Sequence, residues 1–167
     1  MWPSTQQLLL ARALCFSEGV LKRIIAREEY CIGCRLCEVH CIAQHSRSKN
    51  VIKAYKRERV RPTARLHVEE EGPLSFSLQC RHCDEPSCVY ACLTGAMHKD
   101  EETGAVVHDA ERCSGCWTCL LFCPYGAIAK DEANGKIVSK CDLCGGADVP
   151  ACVANCPNEA LVLEEVP

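Results

Sequence analysis

The chain has 167 residues, a size that suits one compact domain or two small lobes sharing a core. A net charge of −3 gives no basis for a nucleic-acid partner, and no stretch approaches the ~20 apolar residues of a membrane span. Seventeen cysteines set against 5% aromatic residues argue that something other than ring packing, namely metal, fills the interior.

In chain order, residues 1–20 form a leader of uncertain order, unlike the rest in composition. It makes a poor signal peptide: no basic start, Arg12 inside a short apolar run, and no A-x-A site. The thiols are therefore expected in the cytoplasm and bound to metal rather than paired as disulfides. Cys15, on the leader, reads as an incidental thiol. A strand is predicted over Val20–Ile25. The first cysteine group follows: Cys31, Cys34, Cys37 and Cys41. Residues 42–79 are an insertion with strand signals at Arg57–Arg61 and Leu74–Leu78. Between Arg47 and Arg65 it carries eight Lys or Arg against one Glu. That run reads equally as a solvated strand face or as a docking patch for an acidic partner.

Three further groups complete a repeat: Cys80, Cys83, Cys88 and Cys92; Cys113, Cys116, Cys119 and Cys123; and Cys141, Cys144, Cys152 and Cys156. Each opens with C-x-x-C and closes with C-x-x-x-C, and only the gap between those pairs varies. The closing pair reads as the start of a short helix with two thiols one turn apart. A strand is expected after each of the last three groups, at Ala96-Met97, Ala127-Ile128 and Ala160-Leu161. Hairpin punctuation lies at Asp100–Gly104 before Ala105-Val106-Val107, and at Asn134-Gly135 before Lys136-Ile137-Val138.

A [4Fe–4S] cube needs one thiolate per iron, and C-x-x-C-x-x-C wraps one loop around three corners. In the bacterial run ending C-x-x-x-C-P the fourth Cys reaches a neighbouring cluster, which requires motifs in pairs. Gly33, Gly115, Gly145 and Gly146 let backbone N–H groups approach the sulfurs. The competing metal is zinc, but zinc ribbons need only two C-x-x-C knuckles, and the third closely spaced Cys here is surplus to them. The histidines read as surface or packing residues, with His40 and His82, inside cysteine groups, as candidates to hydrogen-bond a sulfur. Trp117 is expected to shield the third loop from water. No phosphate loop, dinucleotide fingerprint or open-coordination metal motif is present, so the chain reads as an electron carrier and not an enzyme.

The segments C-R-H-C-D-E-P-S-C, C-P-Y-G-A-I, K-C-D-L-C and A-C-V-A-N-C-P-N-E-A-L resemble the four-cluster iron–sulfur subunits of the dimethyl sulfoxide reductase type, over about residues 21–165. The short form is most similar to the ferredoxin-like subunit associated with carbon monoxide dehydrogenase. Relatives also serve formate dehydrogenases, hydrogenases and tungsten aldehyde oxidoreductases. The resemblance implies an α+β fold of two ferredoxin-like lobes, a pseudo-repeat of small strands and short helices around four [4Fe–4S] clusters. Residues 21–79 with 141–167 would form one lobe and residues 80–140 the other. The implied ligand sets are Cys31, Cys34, Cys37 and Cys156; Cys141, Cys144, Cys152 and Cys41; Cys80, Cys83, Cys88 and Cys123; and Cys113, Cys116, Cys119 and Cys92. The implied role is a relay from a catalytic oxidoreductase subunit to a second redox protein such as a flavoprotein. Ile42 and Leu93 stand where the family often has proline after a closing Cys, and the membrane-contact extension of longer members is lacking.

Overall fold

The structure, a computed structural model, describes residues 21–131 and 138–166. The leader, Cys15, the expected Asn134-Gly135 turn and Lys136-Ile137 lie outside the described residues.

The cysteine loops are stitched together by two-stranded antiparallel sheets. Strand β1 (Leu21–Ala26), just before the first group, pairs with β8 (Leu161–Val166), just after the last, in the register Leu21↔Val166 and Ala26↔Leu161. Residues flanking the first and fourth groups are thereby brought side by side. Strand β2 (Leu66–Glu71) pairs with β3 (Leu74–Gln79) inside the insertion. Strands β4 (Met97–Lys99) and β5 (Val106–His108) pair between the second and third groups, and β6 (Ile128–Lys130) with β7 (Val138–Lys140) between the third and fourth. The strands expected after each of the last three groups are thus present. The β4–β5 turn is held by Asp100, whose carboxylate accepts from the Thr103 N–H and hydroxyl at 2.7 Å each.

Helices begin one residue before the closing pair of each group. These are α1 (Leu36–His45), α3 (Ser87–Tyr90), α4 (Thr118–Phe122) and α6 (Ala151–Ala154). The last three span four or five residues, too few to stand alone in water, so packing and the loops around them must hold them. Helix α1 packs against α6, and α3 against α4. A brief helical turn, α5 (Leu143–Gly146), sits inside the fourth group. Among the described residues no helix is long and apolar enough to cross a membrane.

The insertion departs from expectation. Instead of a strand at Arg57–Arg61 it forms helix α2 (Val51–Lys56) followed by an irregular return. Asn50 caps that helix, its side chain accepting from the Lys53 N–H at 3.1 Å. Glu58 then accepts from the N–H groups of Ser48 (2.9 Å) and Arg47 (3.3 Å), which folds the segment back on itself. Pro62 lacks an N–H and cannot extend a ladder. The basic run is consequently a helix face and a loop. Arg47, Lys49, Lys53, Lys56, Arg57, Arg59 and Arg61 are exposed, and only Arg65 is turned inward.

Two apolar centres remain, and thiols form part of both. Ile24, Leu66, Val68, Ala105, Leu143 and Leu161 surround Cys37, Cys41, Cys141 and Cys152. Met97, Val106 and Ile128 surround Cys119. Each large aliphatic side chain buried there contributes roughly 1.5–3 kcal/mol.

Candidate metal centres

Each cysteine loop contains a left-handed turn. In the first and third groups the Gly after the opening C-x has φ +65° (Gly33) and +73° (Gly115), and the residue before the helix, Arg35 or Trp117, has φ +57° or +54°. Gly33 has room for a methyl group, so backbone conformation rather than space demands glycine there. In the second group His82 takes the left-handed turn, and in the fourth Cys144, Gly145 and Gly146 do.

The four groups do not close on themselves. Cys31, Cys34 and Cys37 line one cavity together with Cys156. Cys80, Cys83 and Cys88 line another, of about 140 Å³, with Cys123. A third is lined by Cys113, Cys116, Cys119 and Cys92. Cys41, on α1, lies close enough to Cys141, Cys144 and Cys152 that its charge raises the pKa of each of the three. Among the described residues, no three His, Cys, Asp or Glu side chains converge on a point that a single metal ion could occupy. The thiols ring a volume instead, which suits a cluster with metal at its corners.

The electrostatics are those of sites awaiting positive charge. Burial pushes the thiols of Cys37, Cys88 and Cys119 up to about 11 and Cys141 to about 12, and raises Cys152 further. Buried thiols become ligands only with a cation to stabilise the thiolate, so metal uptake must release protons. Donors already face the sulfurs. Sγ of Cys41 accepts from the Arg65 N–H (3.3 Å), Cys92 from Met97 N–H (3.3 Å), Cys80 from His82 N–H (3.4 Å) and Cys116 from the Thr118 hydroxyl (3.4 Å). Ser77 places a buried hydroxyl on the wall of the cavity that holds Cys31, Cys34, Cys37 and Cys156, near enough to Cys37 to favour its thiolate. Two cation–π pairs stand over the second and third cavities: Arg81 lies 4.4 Å from the Tyr125 ring and Lys130 4.5 Å from the Trp117 ring.

Of the two histidines expected near sulfur, His82 contributes its backbone N–H while its ring turns away, and His40 makes no hydrogen bond to sulfur among the described residues. The histidine that does approach one is His45. Its Nδ1 lies 3.7 Å from Cys41 Sγ and 2.8 Å from Cys41 O, and its Nε2 is 3.2 Å from Asp142. Burial opposes its charge, but the hydrogen bond with Asp142 prevails and holds it at about 9. Asp142 also pairs with Arg65 and accepts from the Cys144 N–H at 3.1 Å. Burial would raise its pKa, yet His45 and Arg65 hold it well below the usual carboxylate range.

Asp142→Ala would leave the partly buried cations of His45 and Arg65 without the carboxylate they share. Because the Asp142 side chain is 33% exposed, the expected loss is about 2 kcal/mol, below the ~3–5 kcal/mol of a fully buried pair. The denaturant midpoint for bleaching of the iron-loaded protein measures it, and an unchanged midpoint would remove Asp142 from the scaffold of this site.

The sequence model described as "4Fe-4S dicluster domain" matches residues 73–166. The chain is 37% identical over 154 residues to the electron transport protein HydN of Escherichia coli (strain K12), spanning 83% of this chain and 85% of that one. It is 39% identical over 103 residues to the aliphatic sulfonate oxidoreductase, polyferredoxin-like subunit, of Pyrococcus furiosus, spanning 60% and 54%. It is 34% identical over 94 residues to the probable anaerobic dimethyl sulfoxide reductase chain YnfG of Escherichia coli (strain K12), spanning 52% and 43%.

Proposed function

The chain belongs to the 4Fe-4S dicluster family, and on that premise we propose that it relays electrons through four [4Fe–4S] clusters between a catalytic oxidoreductase subunit and a second acceptor such as a flavoprotein. It is an iron–sulfur electron-transport protein associated with oxidoreductases. The observation that carries the four-cluster reading is the exchange of fourth thiols: Cys156 sits with the first group, Cys123 with the second, and Cys92 with the third. The proposed ligand sets are therefore Cys31, Cys34, Cys37 and Cys156; Cys80, Cys83, Cys88 and Cys123; Cys113, Cys116, Cys119 and Cys92; and Cys141, Cys144, Cys152 and Cys41. The same exchange motivates two lobes, residues 21–79 with 141–167 and residues 80–140.

When bound, the clusters supply one-electron carriers. This chain's own residues do the rest. Sixteen thiols would hold the iron, the N–H groups of Arg65, Met97 and His82 would stabilise thiolate charge, and the aliphatic centres would exclude water. Cys34 and Cys116 are the exposed cysteines of the sixteen, so electrons would enter and leave at the loops that contain them. Carbon monoxide dehydrogenase is the favoured catalytic partner, on the resemblance of the sequence segments. Tungsten aldehyde oxidoreductase, formate dehydrogenase and hydrogenase are the alternatives, and the assignment to the cytoplasm follows the same reading.

The partner is tested by mixing the oxidised protein with each purified enzyme and its substrate and following reduction. Fast reduction by carbon monoxide dehydrogenase is expected, and reduction only by another member of the set would reassign the partner. The exposed cations of α2 and the loop after it are proposed to attract that partner. Rates should then fall as salt rises, since exposed charges are screened over about 10 Å at 0.1 M. A variant carrying Lys53→Gln, Lys56→Gln, Arg57→Gln and Arg59→Gln should be slower at low salt and flatter in its salt response. Identical curves for variant and wild type would return the basic run to a solvated surface.

A further inference from the structure

Lys140 ends β7 and is 4% exposed, yet no carboxylate lies within ion-pair distance of it among the described residues. Its Nζ donates to the carbonyl of Cys141 at 2.8 Å and to that of Val106. The Val106 N–H in turn donates to Nδ1 of His82 at 3.0 Å. One hydrogen-bonded path thus runs from the fourth cysteine group, at Cys141, to the loop of the second, at His82. His82 is fully buried, and its Nε2 has no partner among the described residues. Burial, reinforced by Lys140, drives its pKa down to about 3, so the ring stays neutral. The other charges nearby are committed: Arg23 to Asp84 at 2.7 Å, and Asp142 to Arg65 and His45.

A buried ammonium left with two carbonyls for company is costly. A cluster site lies on either side of it: one acceptor, Cys141, belongs to the fourth group, and the other, Val106, lines the cavity of Cys80, Cys83, Cys88 and Cys123. The cation therefore acts on two ligand sets at once, that of Cys80, Cys83, Cys88 and Cys123 and that of Cys41, Cys141, Cys144 and Cys152.

We propose that Lys140 is a fixed positive charge between these two cluster sites, placed to stabilise the negative charge that each gains on reduction and so to raise both reduction potentials. This rests on the four-cluster reading. The step it assists is balanced in itself: one electron leaves the cluster on one side as the cluster on the other gains it, no bond breaks and no proton moves. Without Lys140 both of these sites would be harder to reduce than they are with it.

The experiment is a potentiometric titration followed by electron paramagnetic resonance, on the anaerobically prepared full chain as wild type, Lys140→Gln and Lys140→Arg, with iron measured on each. Lys140→Gln should shift two couples downward by at least tenfold in their oxidised-to-reduced equilibrium, or 59 mV for one electron, and leave the other two in place. Lys140→Arg, which keeps the charge, should restore the wild-type values. Four unchanged couples in a fully loaded Lys140→Gln, a uniform shift of all four, or failure of Lys140→Arg to restore would each overturn the proposal. If Lys140→Gln takes up no iron, Lys140→Met replaces it in the titration. Loss of iron in both neutral variants, with Lys140→Arg loading normally, would overturn the proposal in favour of a structural role. Wild-type protein with fewer than four clusters would instead defeat the four-cluster reading.

Discussion

Protein made and handled without oxygen is expected to be brown and to carry about sixteen irons and sixteen sulfides per chain. The expectation follows from the way the thiols are spread. Four thiols closing on one zinc would lie within a few ångströms of a common point, each about 2.3 Å from the metal. No three potential ligands converge in that way among the described residues, and three of the four sets instead line cavities. The thiols are buried deeply enough to push several of them to about 11 or 12, so the empty sites would be a burden on the fold. Iron removal should accordingly abolish the cooperative unfolding transition and not merely shift it, because short helices such as α3 and α6 have little else to hold them. Iron and sulfide assay with circular dichroism before and after chelation gives the answer. Stoichiometric zinc with little iron, or a chelated protein that still unfolds cooperatively, would reverse it.

What could be read from the sequence is what local spacing determines. The helix at each closing C-x-x-x-C, the strands at Met97, Ile128 and Leu161, and the hairpin before Val106 all depend on residues a few positions apart. The strand at Leu74–Leu78 is also present, but its faces are reversed relative to hydrophobicity. Ser75, Ser77 and Gln79 are buried while Leu74 and Phe76 are exposed. The buried face looks onto backbone acceptors, with Ser75 donating to Cys31 O at 3.1 Å and Gln79 to Ile24 O at 3.0 Å, so polar residues belong there. Arg57–Arg61 failed as a strand because a helix cap at Asn50 and the tie from Glu58 to Ser48 outweigh a short β-prone pattern. His45 stands one helical turn after Cys41, a spacing that could have flagged it, but the partners that fix His45 and Lys140 lie 97 and 34 residues away, at Asp142 and Val106, and no local pattern carries those pairings.

The second large effect concerns the pairing itself, and Cys156→Ser isolates it. Cys156 lies six residues before Val162, the β8 partner of Ile25, and close in sequence to Cys152. A reading by sequence neighbourhood would assign it to the fourth group. In the fold, after α6 the chain turns, the Arg27 N–H donates to Ala160 O at 2.8 Å, and Asn158 donates to Tyr30 O at 3.2 Å, which lays the Cys156 turn against the first cysteine loop and motivates the exchange. Replacing this thiol should therefore perturb first the cluster of Cys31, Cys34 and Cys37, with loss of up to one quarter of the iron. The other three sites should keep their spectra, because Cys152 and Cys144 remain beside Cys41. Cys41→Ser is the mirror experiment and should strike the site of Cys141, Cys144 and Cys152 while sparing the one held by its own loop. The two variants should thus lose different clusters, distinguishable by their separate potentials and resonance signals. Loss from each residue's own sequence group would mean that the groups bind without exchange, and loss of the same cluster in both would mean that the exchange is not reciprocal.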